Sequence, residues 1–416
     1  MDTGNAILVF FGGLIPLSYA AFVMGRRRAV SLARGGGERM HSRPQQYGWY
    51  AVVWMAMPAI AVALVASFAG LLGIAHPPVT MTFTAALVLA AGGLAAGLHR
   101  IRPELRARNH LDRLVRWLLL AAALVSIATT IAIVLSIVFE AIRFFKVVSI
   151  WNFVTGTEWA PDKAFLVGAG RAGEAGASGY TFGSVPLFAG TFMVTLIAMA
   201  VALPVGLFSA IFMSEYASRR VRGMAKPVLE VLAGIPTVVY GFFAAITVSP
   251  LIVDIAAFFG LDASYNNILS PGLVMGIMII PFISSLSDDV INAIPQSLRE
   301  GAYALGTTKS ETIKQILLPA ATPGIVSATL LGVSRALGET MIVVMAAGLR
   351  PNLTANPLEA MTTVTVRIVD ALTGDQEFNS PATLSAFGLG LVLFIITLSL
   401  NVISAVMVRR FKQQYD

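Results

Sequence analysis

Apolar runs of about 20 residues recur along the whole chain, and each is long enough to cross a hydrocarbon core about 30 Å thick. Nine spans are predicted, at about 6–24, 48–73, 79–98, 115–142, 189–213, 228–253, 270–287, 323–348 and 384–408. Helices satisfy every backbone group internally, so such a chain folds as an all-α membrane protein. Of its 416 residues, 56% are hydrophobic and only 12% charged, as that solution requires. The basic residues set an orientation. With residues at span ends assigned to the nearer side, 22 of the 29 lysines and arginines fall in 25–47, 99–114, 214–227, 288–322 and the C-terminal tail. Six fall on the opposite side, and Arg335 lies inside a span. The positive-inside rule places the richer side in the cytoplasm, with the N-terminus outside and the C-terminus inside. The net charge of +7 thus reads as topology and lipid-headgroup contact, with no nucleic-acid partner expected. Ala6–Met24 is followed by Gly25-Arg26-Arg27-Arg28 and lacks a preceding basic region or a small-residue cleavage site, so it is expected to be a retained span.

The longest polar segment, Ser297–Pro319, interrupts this pattern on the predicted cytoplasmic side. Ser297 with Glu300, and Thr308 with Glu311, each have capping-box spacing. Gly306 lies between them, where a helix end needs the left-handed conformation, and Pro319 is expected to stop the second helix. The prediction is two short helices meeting at a sharp glycine turn, presented to a partner. Outside the membrane, residues 146–188 are expected to form a loop or short helix with a flexible Gly/Ala-rich part at 168–179. Residues 361–372 are expected to form an amphipathic surface helix.

Pro204, Pro236 and Pro281 fall inside predicted spans. Each frees backbone carbonyls that neighbours or a hydrated cavity must satisfy, so these are candidate helix breaks beside a path, or kinks for packing. Arg335 and Glu339, in the run Ser334–Met341, carry the most information. In a continuous span 323–348, Arg335 lies near the centre with Glu339 one turn on. Each such charge costs roughly 2.5–3.5 kcal/mol on insertion scales. The two either form a neutralised structural pair, or Arg335 meets an anion crossing the membrane while Glu339 holds it between passages. The planar guanidinium suits an oxyanion and favours the second alternative. Ser334, Arg335, Glu339 and Thr340 are the candidate path residues.

Other chemistries find little support. There is no cysteine, and His41, His76, His99 and His110 have no metal-binding spacing. Gly301, Gly306, Lys309 and Ser310 approach a phosphate-loop pattern, but the lysine comes two residues late and no strand precedes it. No soluble domain is large enough for a nucleotide site. No cofactor or catalytic residue is therefore expected in this chain, and any ATP hydrolysis, with its magnesium, belongs to a partner.

Glu300, Gly301, Ala302, Gly306, Ile316, Leu318 and Pro319 resemble the EAA signature of binding-protein-dependent ABC importer permeases, with Gly301 replacing the middle alanine. In that family this is the coupling segment that enters a groove of the ATP-binding subunit. Leu232–Ala244 and Gly332–Gly348 further resemble the phosphate permeases of the Pst system, the PstC type more than the PstA type. The resemblance covers roughly residues 120–416. It implies residues 114–416 as a six-span permease core and 1–113 as a three-span extension with basic linkers. It also implies a PstA-like second permease, two copies of an ATP-binding subunit and a periplasmic phosphate-binding protein. The expected activity is phosphate import by alternating access. A permease for sulfate, molybdate or phosphonate is the alternative within the class, because one arginine does not separate tetrahedral anions. A non-transporting membrane sensor or scaffold is the alternative outside it, and a membrane enzyme is the weakest reading.

Overall fold

The computed structural model of the chain describes residues 3–35, 40–71, 73, 78–161, 181–373 and 380–412; the predicted flexible stretch 168–179 lies outside them. The fold is helical, with two compact units, Met1–Ile131 and Ala132–Asp416. Among the described residues, eight helices are long and apolar enough to cross a membrane. Nine spans were expected; the first falls in α1, which is not among the eight.

In the N-terminal unit, α1 (Thr3–Gly35), α2 (Pro44–Leu71) and α3 (Val79–His99) pack through small residues. A Cβ added to Gly25 would lie 2.8 Å from the Tyr47 carbonyl oxygen, and one on Gly97 would lie 2.7 Å from the Trp54 Cβ. Lipid tails give helices no hydrophobic reason to associate, so such close backbone approach supplies the dispersion contacts instead. At the basic end Arg100 stacks on Trp54 at 4.3 Å, and the Tyr47 hydroxyl donates to the Leu105 carbonyl at 2.8 Å. The fourth predicted span lies in α4 (Ala107–Val147), whose 41 residues cross from one unit into the other. At 1.5 Å per residue α4 is about 60 Å long.

In the C-terminal unit, the end of α4 meets an aromatic cluster. Short α5 (Ile150–Thr155) and a two-residue antiparallel pair, β1 (Trp159–Ala160) with β2 (Thr181–Phe182), bring Phe153, Trp159 and Phe182 together with Phe144. Their rings meet edge to face, with Phe144–Phe153 centroids 5.4 Å apart, the arrangement that ring quadrupoles favour. The core proper is α6 (Val185–Ile211) against α10 (Leu269–Ala293). Gly272, Gly276 and Gly206 allow contact with Ile197, Val201 and Ile283 respectively. These contacts advance together along both helices, so α6 and α10 run parallel.

Between them lie α7 (Arg219–Gly234), α8 (Thr237–Phe243) and α9 (Ser249–Phe258). The predicted span 228–253 is displaced: residues 228–234 belong to α7, and the spanning helix is Thr237–Phe258. Pro236 explains this. It holds Ile235 extended (ψ 129°) and becomes the N-cap of α8, so it separates two helices and does not kink one. Pro204 and Pro281, in contrast, sit inside continuous α6 and α10.

Beyond α10 come α11 (Gln296–Ala304), α12 (Lys309–Thr312) and α13 (Leu318–Leu337). Pro319 does not stop a helix here. A π turn at Ile313–Leu317 joins α12 to α13, and Pro319 occupies the first turn of α13. The same device recurs at Ala244–Val248, just before Pro250. A wider turn accommodates a residue that has no N–H and crowds the carbonyl four residues back. Gly332 packs on Ile283 and Gly324 on Val290, so α13 runs antiparallel to α10.

The predicted span 323–348 is also broken. α13 ends at Leu337, and α14 (Met341–Ala346) restarts after Gly338. Residues 347–363 cross the end of the bundle, with an isolated bridge between Asn267 and Ala360. The amphipathic stretch 361–372 appears as α15 (Val364–Thr373), packed beside α16 (Pro381–Lys412).

Candidate functional site

The polar segment folds as helix, turn, helix. Gly306 has φ +84°, the left-handed region that glycine enters without a Cβ clash. The Gly306 N–H donates to the Tyr303 carbonyl at 3.0 Å and the Thr307 N–H to the Ala302 carbonyl at 3.3 Å, which together make a Schellman cap. Thr308 and Glu311 form the expected capping box. Ser297 and Glu300 do not, because α11 starts at Gln296, two residues before a Ser297 cap would start it, with Pro295 as its N-cap and no side-chain cap.

Glu300, Gly301 and Gly306 are exposed, Ala302 is buried, and Ile316 and Leu318 are half-buried next to exposed Pro319. A Cβ at Gly301 would touch nothing within 4 Å, so the departure from alanine there is sterically free. Leu305, 87% exposed, and Tyr303 give the segment an apolar tip in solvent.

Sequence reasoning missed what anchors this segment. Arg299, in α11, is buried. It donates to the Ile294 and Ile291 carbonyls at 2.8 and 2.7 Å and pairs with Glu215 at 3.2 Å. Glu215 lies in the π turn Phe212–Tyr216 that ends α6. The pair therefore ties the polar segment to both core helices.

Above it lies a cavity of about 240 Å³ between α7, α10 and α13, lined by Lys226, Glu230, Pro281, Phe282, Ser285, Asp288 and Arg335 among others. α7 is sharply two-sided. Lys226 and Glu230 turn toward the cavity, while Met224, Val228 and Val231 are exposed. Arg335 is in the last turn of α13, where the negative end of the helix dipole favours a cation. Its guanidinium sits over the Phe282 ring, 5.7 Å from the centroid. Phe282 is at the middle of α10, so Arg335, an exposed residue at the end of its own helix, stands level with the middle of α10. Among the described residues Arg335 forms no ion pair.

Glu339 is not on the same helical face as Arg335. It lies in the break, where its Oε1 accepts from the Thr340 and Met341 N–H groups at 3.2 and 3.1 Å and so caps α14. Thr365 donates to its carbonyl at 3.0 Å. Thr340 and Ser334 are half-buried near the same break, and neither lines the cavity. Of the prolines, Pro281 lines the cavity, whereas Pro204 and Pro236 are exposed. The predicted residues are thus divided: Arg335 and Pro281 share the cavity, and Glu339 is spent on the backbone.

The second charged group at the cavity is one that sequence reasoning left aside. Asp288 is 1% exposed and receives both its oxygens' contacts from Arg222, at 3.2 and 2.9 Å. Asn292 donates to it at 2.8 Å, and Lys226 stands 3.6 Å away. Arg222 and Lys226 counted only toward topology in the sequence. The available signal was Asp288–Asp289, two adjacent acids at the end of a span on the basic side.

The family model for binding-protein-dependent transport system inner membrane components matches residues 202–415, the stretch that holds both the cavity and the polar segment. The chain belongs to that family. A second model, described as a phosphate ATP-binding cassette transporter, matches residues 12–85 of this permease. Among its relatives is the probable ABC transporter permease protein YqgH of Bacillus subtilis (strain 168), 34% identical over 284 residues, covering 68% of this chain and 86% of that one. The phosphate transport system permease protein PstC 1 of Mycobacterium tuberculosis is 34% identical over 316 residues, 71% and 92% of the two chains. PstC of Xylella fastidiosa (strain Temecula1) is 34% identical over 248 residues, 56% and 76%. The permease is thus a multi-pass inner-membrane protein with PstC-type phosphate permeases among its relatives.

Proposed function

We propose that this chain is the transmembrane permease subunit of an ATP-driven importer of inorganic phosphate. The observation that carries the reading is Arg335, which lines the cavity beside Phe282 and forms no ion pair among the described residues, in a chain whose relatives are named phosphate permeases. Phosphate passes by alternating access, with Arg335 as the mid-membrane contact and with Ser334, Glu339 and Thr340 at the helix break that positions it. Motion of helix bundles about such a site is the general logic of transporters. ATP and magnesium are bound and turned over in a separate subunit. The complex holds two copies of that subunit, one of which meets the exposed tip around Gly306, Leu305 and Tyr303, while a PstA-like permease completes the path. A periplasmic phosphate-binding protein delivers to the outer face, and the C-terminus is cytoplasmic. Residues 114–416 form the transporting core, and 1–113 are an extension.

The test is uptake of radiolabelled phosphate in cells lacking their own high-affinity system, supplied with this chain and its genomic neighbours. Uptake that is lost in Arg335→Gln with the complex still assembled, and lost in Gly306→Arg, supports the reading. Uptake of sulfate or molybdate with none of phosphate keeps the architecture and discards the substrate. Full phosphate uptake in Arg335→Gln removes the arginine from the path.

A further inference from the structure

The cavity that holds Arg335 has a second cation on its wall. Phe282, beneath the Arg335 guanidinium, and Asp288, beside Lys226, are six residues apart on α10, or about 9 Å along its axis. Two basic groups therefore line one space, one at mid-span and the other about 9 Å nearer the polar segment. Lys226 differs from its neighbour Arg222. Arg222 is committed to Asp288 through both carboxylate oxygens. The Lys226 Nζ stands 3.6 Å from Asp288 and 3.8 Å from Asp289, which is too far for a hydrogen bond to either. Its charge is balanced, but its donors are uncommitted. Asp288 does not need Lys226 to stay buried, since Arg222 and Asn292 already satisfy it.

We infer that Lys226 is a second oxyanion-binding station, on the cytoplasmic side of Arg335, and this rests on the phosphate-permease reading above. A tetrahedral oxyanion such as inorganic phosphate enters the cavity against Arg335 and passes to Lys226, which turns its donors away from the acids to meet it. Ammonium suits this task, because it is a compact point charge on a flexible stem. Asp288 then competes for Lys226 and releases the anion, so the station binds strongly enough to receive and weakly enough to discharge. The charges around the cavity balance: Arg222, Lys226 and Arg335 face Asp288, Asp289 and Glu230, so an arriving anion competes with the acids for Lys226.

The chain has no cysteine, so an introduced thiol is the single one in it, and its labelling is read on this subunit after the complex is separated by electrophoresis. Ser285→Cys, on the α10 wall, is placed in the full transport complex in inside-out membrane vesicles. Its modification by a negatively charged methanethiosulfonate is timed with inorganic phosphate, and with potassium chloride at matched ionic strength. Phosphate is expected to slow modification several-fold. Lys226→Gln should abolish that protection and slow the anionic reagent relative to a neutral one, and Lys226→Arg should restore both. Protection that persists in Lys226→Gln, or that is absent with Lys226 intact, overturns the station. Ala233→Cys, on the α7 wall, is the probe if the Ser285 variant does not assemble. The two readings fail separately: phosphate uptake by the thiol-bearing complex without Lys226-dependent protection discards only the station. Uptake of sulfate or molybdate in place of phosphate discards the substrate.

Discussion

Two buried carboxylates of the C-terminal unit, Glu215 and Asp288, are answered in different ways. Glu215 meets Arg299 with both side chains nearly inaccessible, at 8% and 10% exposed, and the arginine's remaining donors go to two backbone carbonyls. Asp288 is more deeply buried still, at 1%, but its partners Arg222 and Lys226 are each more than one third exposed, and Lys226 lines the cavity. The first arrangement is closed: nothing can be exchanged without leaving a buried charge alone. The second is open on its cationic side, so a partner can leave while the acid stays satisfied. The closed pair holds helices in place, and the open one can take part in traffic.

The sharpest way to break this contrast is Arg299→Ala. It strands Glu215 and removes donors from the Ile291 and Ile294 carbonyls. Breaking a buried pair costs about 3–5 kcal/mol. The variant should unfold at clearly lower temperature in detergent and lose its hold on α11, seen as fast protease cleavage near residue 297. A thermal transition like that of the unaltered protein would mean the pair is not the anchor.

Asp288→Asn should do less. The amide still accepts from Arg222 and Asn292, so the loss is that of a charge-assisted hydrogen bond, about 1.5–3 kcal/mol, discounted because Arg222 is partly solvated. Its thermal shift should be smaller than that of Arg299→Ala, and the anionic reagent should reach the cavity faster, because two cations are left without their acid. A larger destabilisation than Arg299→Ala would reverse the contrast.

The comparison also shows what could be read from residues alone. Spans, the glycine turn and the Thr308–Glu311 box were legible, because each depends on neighbours in sequence. Arg335 stood out as a charge inside an apolar run, but its place in the last turn of α13 was not legible, because that run was read as one span. Its separation from Glu339 was not. The run Arg335-Ala336-Leu337-Gly338-Glu339 reads as one helix, and only the competition between helix continuation and capping by the Glu339 carboxylate ends α13. The charged pairs were hidden by distance along the chain: Arg222 and Asp288 lie 66 residues apart, and Glu215 and Arg299 lie 84 apart. Ser297 misled because its spacing to Glu300 is right while Pro295 had already taken the N-cap.

Beyond Arg299 the closed pair no longer reaches, and the polar segment depends on local chemistry. Thr308→Ala removes the hydroxyl that accepts from the Glu311 N–H, a cap worth about 1 kcal/mol. Hydrogen exchange at the start of α12 should quicken, while the amides of α10 remain as protected as before. Quickening that spreads into α10 would mean the turn and the core are coupled without Arg299.

Gly301→Ala should give the smallest effect and the opposite sign. The glycine lies inside α11, its Cβ position is open, and alanine is favoured in a helix by about 0.8–1.0 kcal/mol. Amide exchange in α11 should slow. If the α11 amides exchange no slower in Gly301→Ala, the Arg299–Glu215 pair already sets the stability of α11, and the closed arrangement governs more of the segment than its own first turns.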